Sequence, residues 1–269
     1  MTLAEAVEWY EQRLSGINPD GQRLAKQFRK RLAARSEGAQ AEAAVFHYLE
    51  VKNLNPRLLE DPSRGGMDFE CSFGGENFAV EVTAFGRDTV TNRSGYPDEL
   101  SGPGYVNLPS IISLVRSRIS DKAVQARTYD GPRVLAIGST HVIASTLFSA
   151  GVHEFLTGEA SIAFNVSSDG LVGDMHMATA LKNAAYVRPT SDGLESFRPR
   201  YALVLLFAIH GGGAHVTGII HPAPDRPLSI APFRNVPFAR LEWPVKDNNL
   251  RVEWVIADPR VDVHYFIHI

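Results

Sequence analysis

Apolar residues return with helical spacing across positions 3–15 and again across 21–35. The Ile17-Asn18-Pro19-Asp20-Gly21 stretch between them breaks the pattern, so two amphipathic helices are predicted. Ser36 is placed to cap a third, alanine-rich helix over about 37–51, whose apolar stripe includes Val45, Phe46 and Leu49. Glu42 precedes these by three, four and seven residues and so lies on the stripe that faces the core. A carboxylate there sits at the edge of the buried face or reaches into a site. From Gly66 to Phe85 the period changes to two, and two strands are predicted to fold about Gly74-Gly75, a pair suited to the positive φ angles of a tight hairpin. With those glycines as the turn, Asp68 falls opposite Glu81, and both side chains point to one face. Thr83 shares that face, while Phe78, Val80 and Val82 make the opposite, apolar one.

Residues 86–107 are polar and rich in Gly and Pro, carry Arg87, Asp88, Arg93, Asp98 and Glu99, and read as a long loop. A helix opens near Asn107-Leu108-Pro109 with proline in its first turn; its stripe includes Ile112, Val115, Ile119 and Ala123, and Lys122 borders the buried side. A short buried strand follows at Arg133 to Ile137, then a helix at about 142–156 and a strand at 161–166. Residues 167–200 are polar, with a weak helical patch from Met175 to Ala185. Strands are predicted at 201–209, 214–221, 239–244, 250–256 and 261–269. This divides the chain into an N-terminal helical extension (1–35), a core (36–166) and a β-rich C-terminal part (167–269), which extends the core sheet or forms a small subdomain.

Composition narrows the function classes. With 44% hydrophobic and 21% charged residues, the 269-residue chain has the means for an ordinary globular core. A net charge of −3 gives no global sign of a nucleic-acid partner, so any such surface is local. The second helix is the best place for one: Arg23, Lys26, Arg29, Lys30, Arg31 and Arg35 stand there with no acid among them, as a solvated face or an anion-binding surface. Cys71 is the single cysteine, which excludes an internal disulfide and a cysteine-rich zinc module and fits a reducing compartment. The N-terminus does not read as a signal peptide, and the longest apolar run, Tyr201 to Ile209, is about half of what a membrane helix needs. The expectation is a soluble, cytoplasmic protein that does not engage a membrane.

The chemistry centres on the hairpin. Directly opposed Cβ atoms lie roughly 4.5–5.5 Å apart, and two carboxylates that close repel unless a cation or shared proton compensates. Hard carboxylate oxygens favour Mg²⁺ or Mn²⁺, which keep several waters and accept a phosphate oxygen. Asp68 and Glu81 thus mark a candidate divalent-metal site.

The order of a helix with Glu42, a strand with Gly66-Met67-Asp68, a strand with Glu81-Val82-Thr83, a helix with Lys122 and a buried strand resembles the PD-(D/E)XK nuclease superfamily. The resemblance spans about residues 36 to 166. It implies an α/β, restriction-endonuclease-like mixed sheet flanked by helices, here with N-terminal helices and a β-rich C-terminal elaboration. It also implies Mg²⁺-dependent (or Mn²⁺-dependent) phosphodiester hydrolysis, with DNA as the partner and a role in defence or repair. Many nucleases of this fold form homodimers to cut both strands. Asp68 and Glu81 become metal ligands and Glu42 the helix carboxylate, with Glu37 its competitor. The family usually has lysine where this chain has Thr83, which cannot supply the positive charge. Some members move the lysine to a neighbouring helix, and Lys122 is the candidate here, with Gln125 a second polar candidate. Arg29, Lys30, Arg87 and Arg93 are the candidates for nucleic-acid contact.

Two rival readings stand beside this one. The first is a catalytically inactive module of the same fold that binds nucleic acid or protein, favoured by Thr83. The second is a hydrolase using C-terminal histidines. His210-Gly-Gly-Gly-Ala-His215 echoes an esterase oxyanion loop, but no Gly-x-Ser-x-Gly elbow accompanies it and a hairpin turn fits better. Asp262, His264 and His268 share one predicted strand face. The absence of a P-loop, of Gly-x-Gly-x-x-Gly and of His-Glu-x-x-His argues against nucleotide-dependent and zincin chemistry.

Overall fold

Thr2 starts the first helix, α1 (Leu3–Ser15), through a capping box in which the Thr2 hydroxyl accepts the Glu5 N–H and the Glu5 carboxylate accepts the Thr2 N–H. In this computed structural model, residues 2–17, 19–34, 36–59, 66–99, 106–123, 129–166, 172–245, 250–257 and 264–265 are described. Helix α2 (Gly21–Ala33) follows, then α3 (Glu37–Val51), whose first turn is capped by the Ser36 hydroxyl accepting the Ala39 N–H. Tyr10 and Leu14 of α1 and Ala25 and Phe28 of α2 are buried against α3, with the Tyr10 ring edge-on to Phe28 and Phe69.

The remaining elements are β1 (Arg57–Leu58), β2 (Phe69–Phe73), β3 (Glu76–Phe85), α4 (Arg87–Ser94), α5 (Leu108–Lys122), β4 (Arg133–Ser139), α6 (Ala144–Thr157), β5 (Glu159–Val166), β6 (Val172–Ala180), β7 (Val187–Thr190), β8 (Gly193–Ser196), β9 (Leu203–His210), β10 (Gly213–Ile220), β11 (Pro237–Leu241), β12 (Val252–Ile256) and β13 (His264–Tyr265). They build an α/β protein around a nine-stranded mixed sheet in the order β1-β2-β3-β4-β9-β10-β11-β12-β13. β3, β4 and β9 run parallel, as do β10 and β11, and the other neighbours are antiparallel. β5–β6 and β7–β8 pair separately.

Both faces of the central strands are covered, as parallel strands joined by helical crossovers require. Phe78, Val80, Val134 and Ala136 pack into the core shared with α1–α3, while Ala79, Phe85, Leu135 and Ile137 pack with α5 and α6. Alanines let α3 lie close to the sheet: a Cβ on Gly138 would come within 2.6 Å of the Ala41 Cβ. No helix among the described residues is long and apolar enough to cross a membrane.

Two stretches depart from the pattern-based expectation. The polar segment 86–107 contains α4, which buries only Val90 and Ser94 and ends at Gly95 in the left-handed region (φ 73°). So short an apolar face leaves little periodicity to read. The helical patch predicted from Met175 to Ala185 is instead strand β6, paired along β5, followed by a 3₁₀ turn at Leu181–Asn183. Pairing with a partner strand has overridden a weak local preference. The strands predicted in the C-terminal part, β9 to β12, continue the main sheet from β4; of 261–269, all but β13 lies outside the described residues.

Buried histidines give the fold a pH dependence. His221 accepts the Ala223 N–H on Nδ1 and faces the Phe197 carbonyl with Nε2, each at 3.0 Å, an arrangement that suits the neutral ring. Burial lowers its pKa from 6.5, and burial likewise lowers that of His141. The unfolded chain takes up these protons first as pH falls, so their contribution is present above pH 6.5 and is lost below it. Urea midpoints are therefore expected to fall between about pH 7.5 and pH 5.5; equal midpoints would contradict this assignment.

Candidate active site

Gly74 and Gly75 have φ of 60° and 87°, the two positive angles that a two-residue turn matched to strand twist demands. They set the β2–β3 register, which runs from Phe73 with Glu76 to Phe69 with Val80 and stops one residue short of Asp68. Asp68 is a bend just ahead of β2. Its N–H donates to the Val80 carbonyl (3.1 Å), and its Oδ2 accepts the Val82 N–H (2.6 Å). Just before β2 begins, the carboxylate supplies the acceptor that a paired backbone carbonyl would otherwise give β3.

Glu81 points into the face covered by α5 and is only 2% exposed. Lys122, the last residue of α5, places Nζ 2.5 Å from Glu81 Oε1 and keeps 23% of its side chain exposed. An ammonium at a buried carboxylate offsets the cost of desolvating both. Thr83, 9% exposed, shares the Glu81 face, and Phe85 beyond it lies under the Arg118 guanidinium at 5.7 Å. Arg118 stands one turn before Lys122, so α5 carries two cations along the Glu81–Thr83–Phe85 face. Sequence reasoning passed over Arg118, although its spacing of four from Lys122 was the available signal.

The other predicted residues have separate engagements. Glu42 receives the Tyr10 hydroxyl on Oε1 (2.6 Å) and Arg31 on Oε2 (2.7 Å). Its helix covers the sheet face opposite Glu81. Burial, then the Glu42 charge, holds the Tyr10 phenol above its ordinary range, and Asp68 contributes in the same direction. Glu37 accepts the Arg87 N–H at the start of α4 (3.3 Å). Arg29 pairs with Glu11 (3.1 Å), Lys30 and Arg93 are exposed, and Arg87 contacts Thr140 and Asp98. Gln125, Asp262 and His268 lie outside the described residues. His210 and Gly213 are paired across a hairpin turn, with exposed His210 and His215 on its two strands. His264 lies in β13.

Beyond the carboxyl ends of β3 and β4 lies a polar knot that no pattern along the chain marks. There Thr91 Oγ1 meets His141 Nε2 (3.1 Å), the Ile143 N–H donates to His141 Nδ1 (3.3 Å), and Asp98 accepts the Val142 N–H (2.9 Å) and Arg87 (3.3 Å). The His141 side chain is fully enclosed, which suits a tie between loops. A surface cleft of about 620 Å³ is lined by Trp9, Arg13, His47, Glu50 and Arg57, away from Glu81. Its Glu50 is engaged by both Arg13 and Trp9.

Among the described residues, no group of three or more His, Cys, Asp or Glu is arranged to hold a metal ion. A closed protein cage is therefore not the arrangement to test. Asp68 and Glu81 alone would leave most of a cation's coordination to water, which Mg²⁺ tolerates. Glu42→Ala is expected to leave Mn²⁺ binding within about twofold of wild type while lowering stability by about 1–2 kcal/mol, because it strands the buried Tyr10 hydroxyl. Urea melts and Mn²⁺ titration of that variant check both parts. Comparisons with protein-family models, curated proteins and solved structures return no match.

Proposed function

We propose that this chain is a Mg²⁺-dependent phosphodiesterase, an endonuclease acting on DNA, built on a restriction-endonuclease-like core and serving defence or repair. The observation that carries the reading is the 2.5 Å contact between Lys122 Nζ and Glu81 Oε1, beside a hairpin that carries Asp68 just ahead of its first strand, bonded to the Val82 N–H. It brings a lysine to the second acid although Thr83 takes the position where the superfamily usually has one. The element order α3, β2, β3, α5, β4 also agrees with that family.

Asp68 and Glu81 would hold Mg²⁺ or Mn²⁺. When bound, the metal lowers the pKa of a water and offsets charge on the phosphoryl group. Lys122 would orient the attacking water and stabilise the extra negative charge as the new O–P bond forms and the ester bond breaks, the water's proton passing to solvent and the leaving oxygen taking one from it. Arg118 lies along the same face for a neighbouring phosphate. The second reading, an inactive module of the same fold, is favoured by uncharged Thr83 and by the engagement of Glu42 with Tyr10 and Arg31.

Incubation of supercoiled plasmid and single-stranded DNA with Mg²⁺ or Mn²⁺ separates the two. The nuclease reading expects cleavage that a chelator abolishes and added metal restores, with DNA binding that weakens steeply with salt. Binding without cleavage under every metal condition supports the inactive module.

A further inference from the structure

We propose that Tyr201 is the positioning residue for Lys122; the catalytic consequence rests on the phosphodiesterase reading above. A lysine at a helix end has four rotatable side-chain bonds, and holding it in one geometry opposes its rotamer entropy. The last carbonyls of a helix also need donors from outside. In α5 the carbonyl of Lys122 itself receives the Tyr201 hydroxyl at 2.8 Å. Ala123 closes the helix there through its N–H to the Ile119 and Ser120 carbonyls.

Tyr201 is itself firmly held. It is 1% exposed, on the sheet face shared by α5 and α6. The next residue, Ala202, donates its N–H to the Arg133 carbonyl at the start of β4 (2.8 Å). The Arg133 side chain in turn donates to the Tyr129 carbonyl (2.8 Å) and the Arg200 carbonyl (3.4 Å). The sheet then relates this anchor to the site, because Glu81 faces Leu135 and Leu135 faces Val204. Tyr201 thus joins the end of α5 to the same strands that carry Glu81, closing a ring of contacts around the Lys122–Glu81 pair. Burial, then the Glu81 charge, raises the phenol's pKa, so the hydroxyl remains a donor.

The test is amine-selective acylation of the intact protein with site-by-site mass spectrometry, run beside DNA-cleavage kinetics. In Tyr201→Phe, Lys122 should be modified about tenfold faster and kcat should fall about tenfold with KM unchanged, the effect of one lost hydrogen bond. Lys52, which donates to the Arg234 carbonyl at 2.6 Å, reports an intact fold and should react as in wild type. Tyr201→His retains a ring N–H donor and should return both values towards wild type. It also serves should the Phe variant fold poorly. Wild-type reactivity of Lys122 in folded Tyr201→Phe would overturn the proposal. If the wild type cleaves no nucleic acid while Lys122 still responds to Tyr201→Phe, the nuclease reading fails and Tyr201's hold on Lys122 is upheld.

Discussion

Glu81→Ala is expected to remove metal-dependent DNA cleavage, a loss on the order of a thousandfold or more, because a metal ion contributes several kcal/mol of transition-state stabilisation. The structural cost should be smaller, about 1–2 kcal/mol for the methylenes removed from a buried site. Lys122 is 23% exposed, so its ammonium can turn to solvent when the carboxylate goes. This pairing of a large catalytic loss with a small stability loss is diagnostic. A structural salt bridge would show the stability change alone, and an inactive module would show no activity to lose. Cleavage by Glu81→Ala at the wild-type rate would remove Glu81 from the site. Parallel urea melts and plasmid assays on one preparation give both readouts.

Lys122→Ala should have the converse profile. Glu81 is 2% exposed and cannot reach water as lysine can, so deleting its ammonium partner is expected to destabilise the protein by about 3 kcal/mol. Turnover should fall about 10²–10³-fold, the loss typical of one donor that acts on developing charge. Divalent metal binding should survive, since the hairpin carboxylates remain. Mn²⁺ should also raise the melting temperature of Lys122→Ala more than that of wild type, because the cation replaces a missing positive charge at Glu81. Full activity in this variant means that Lys122 has no part in the chemistry. Equal Mn²⁺ stabilisation of the two proteins would mean that the metal does not meet Glu81.

The parts of this arrangement that could be read from sequence are local. Gly74-Gly75 specifies a turn, and the turn specifies a register that runs to Phe69 with Val80 with no tertiary information. Lys122 was reachable because apolar spacing put it at the border of the buried side of its helix, and the helix then had to cross back over the sheet to start β4. Ser36 and Asn107 gave two helix starts through side chains that cap them.

What the sequence did not disclose depends on distant partners. The Glu42 side chain looks like a helix carboxylate turned to the core, yet its neighbours come from two other helices, Tyr10 of α1 and Arg31 of α2. No periodicity encodes that meeting. The polar knot of Thr91, Asp98 and His141 joins segments about fifty residues apart, and Tyr201 reaches Lys122 across an even longer separation. In β6 the local pattern pointed to a helix, but β5 offered a ladder of backbone hydrogen bonds that outweighed it.

The claim on which the rest depends is that Asp68 and Glu81 together hold one divalent cation. Mn²⁺ binding followed by electron paramagnetic resonance, on wild type and on Asp68→Asn and Glu81→Gln, tests it without reference to any substrate. The account predicts one bound Mn²⁺ per chain in wild type and a fall in affinity of at least about tenfold in each variant. Undiminished Mn²⁺ binding in both variants, or none in the wild type, would contradict it.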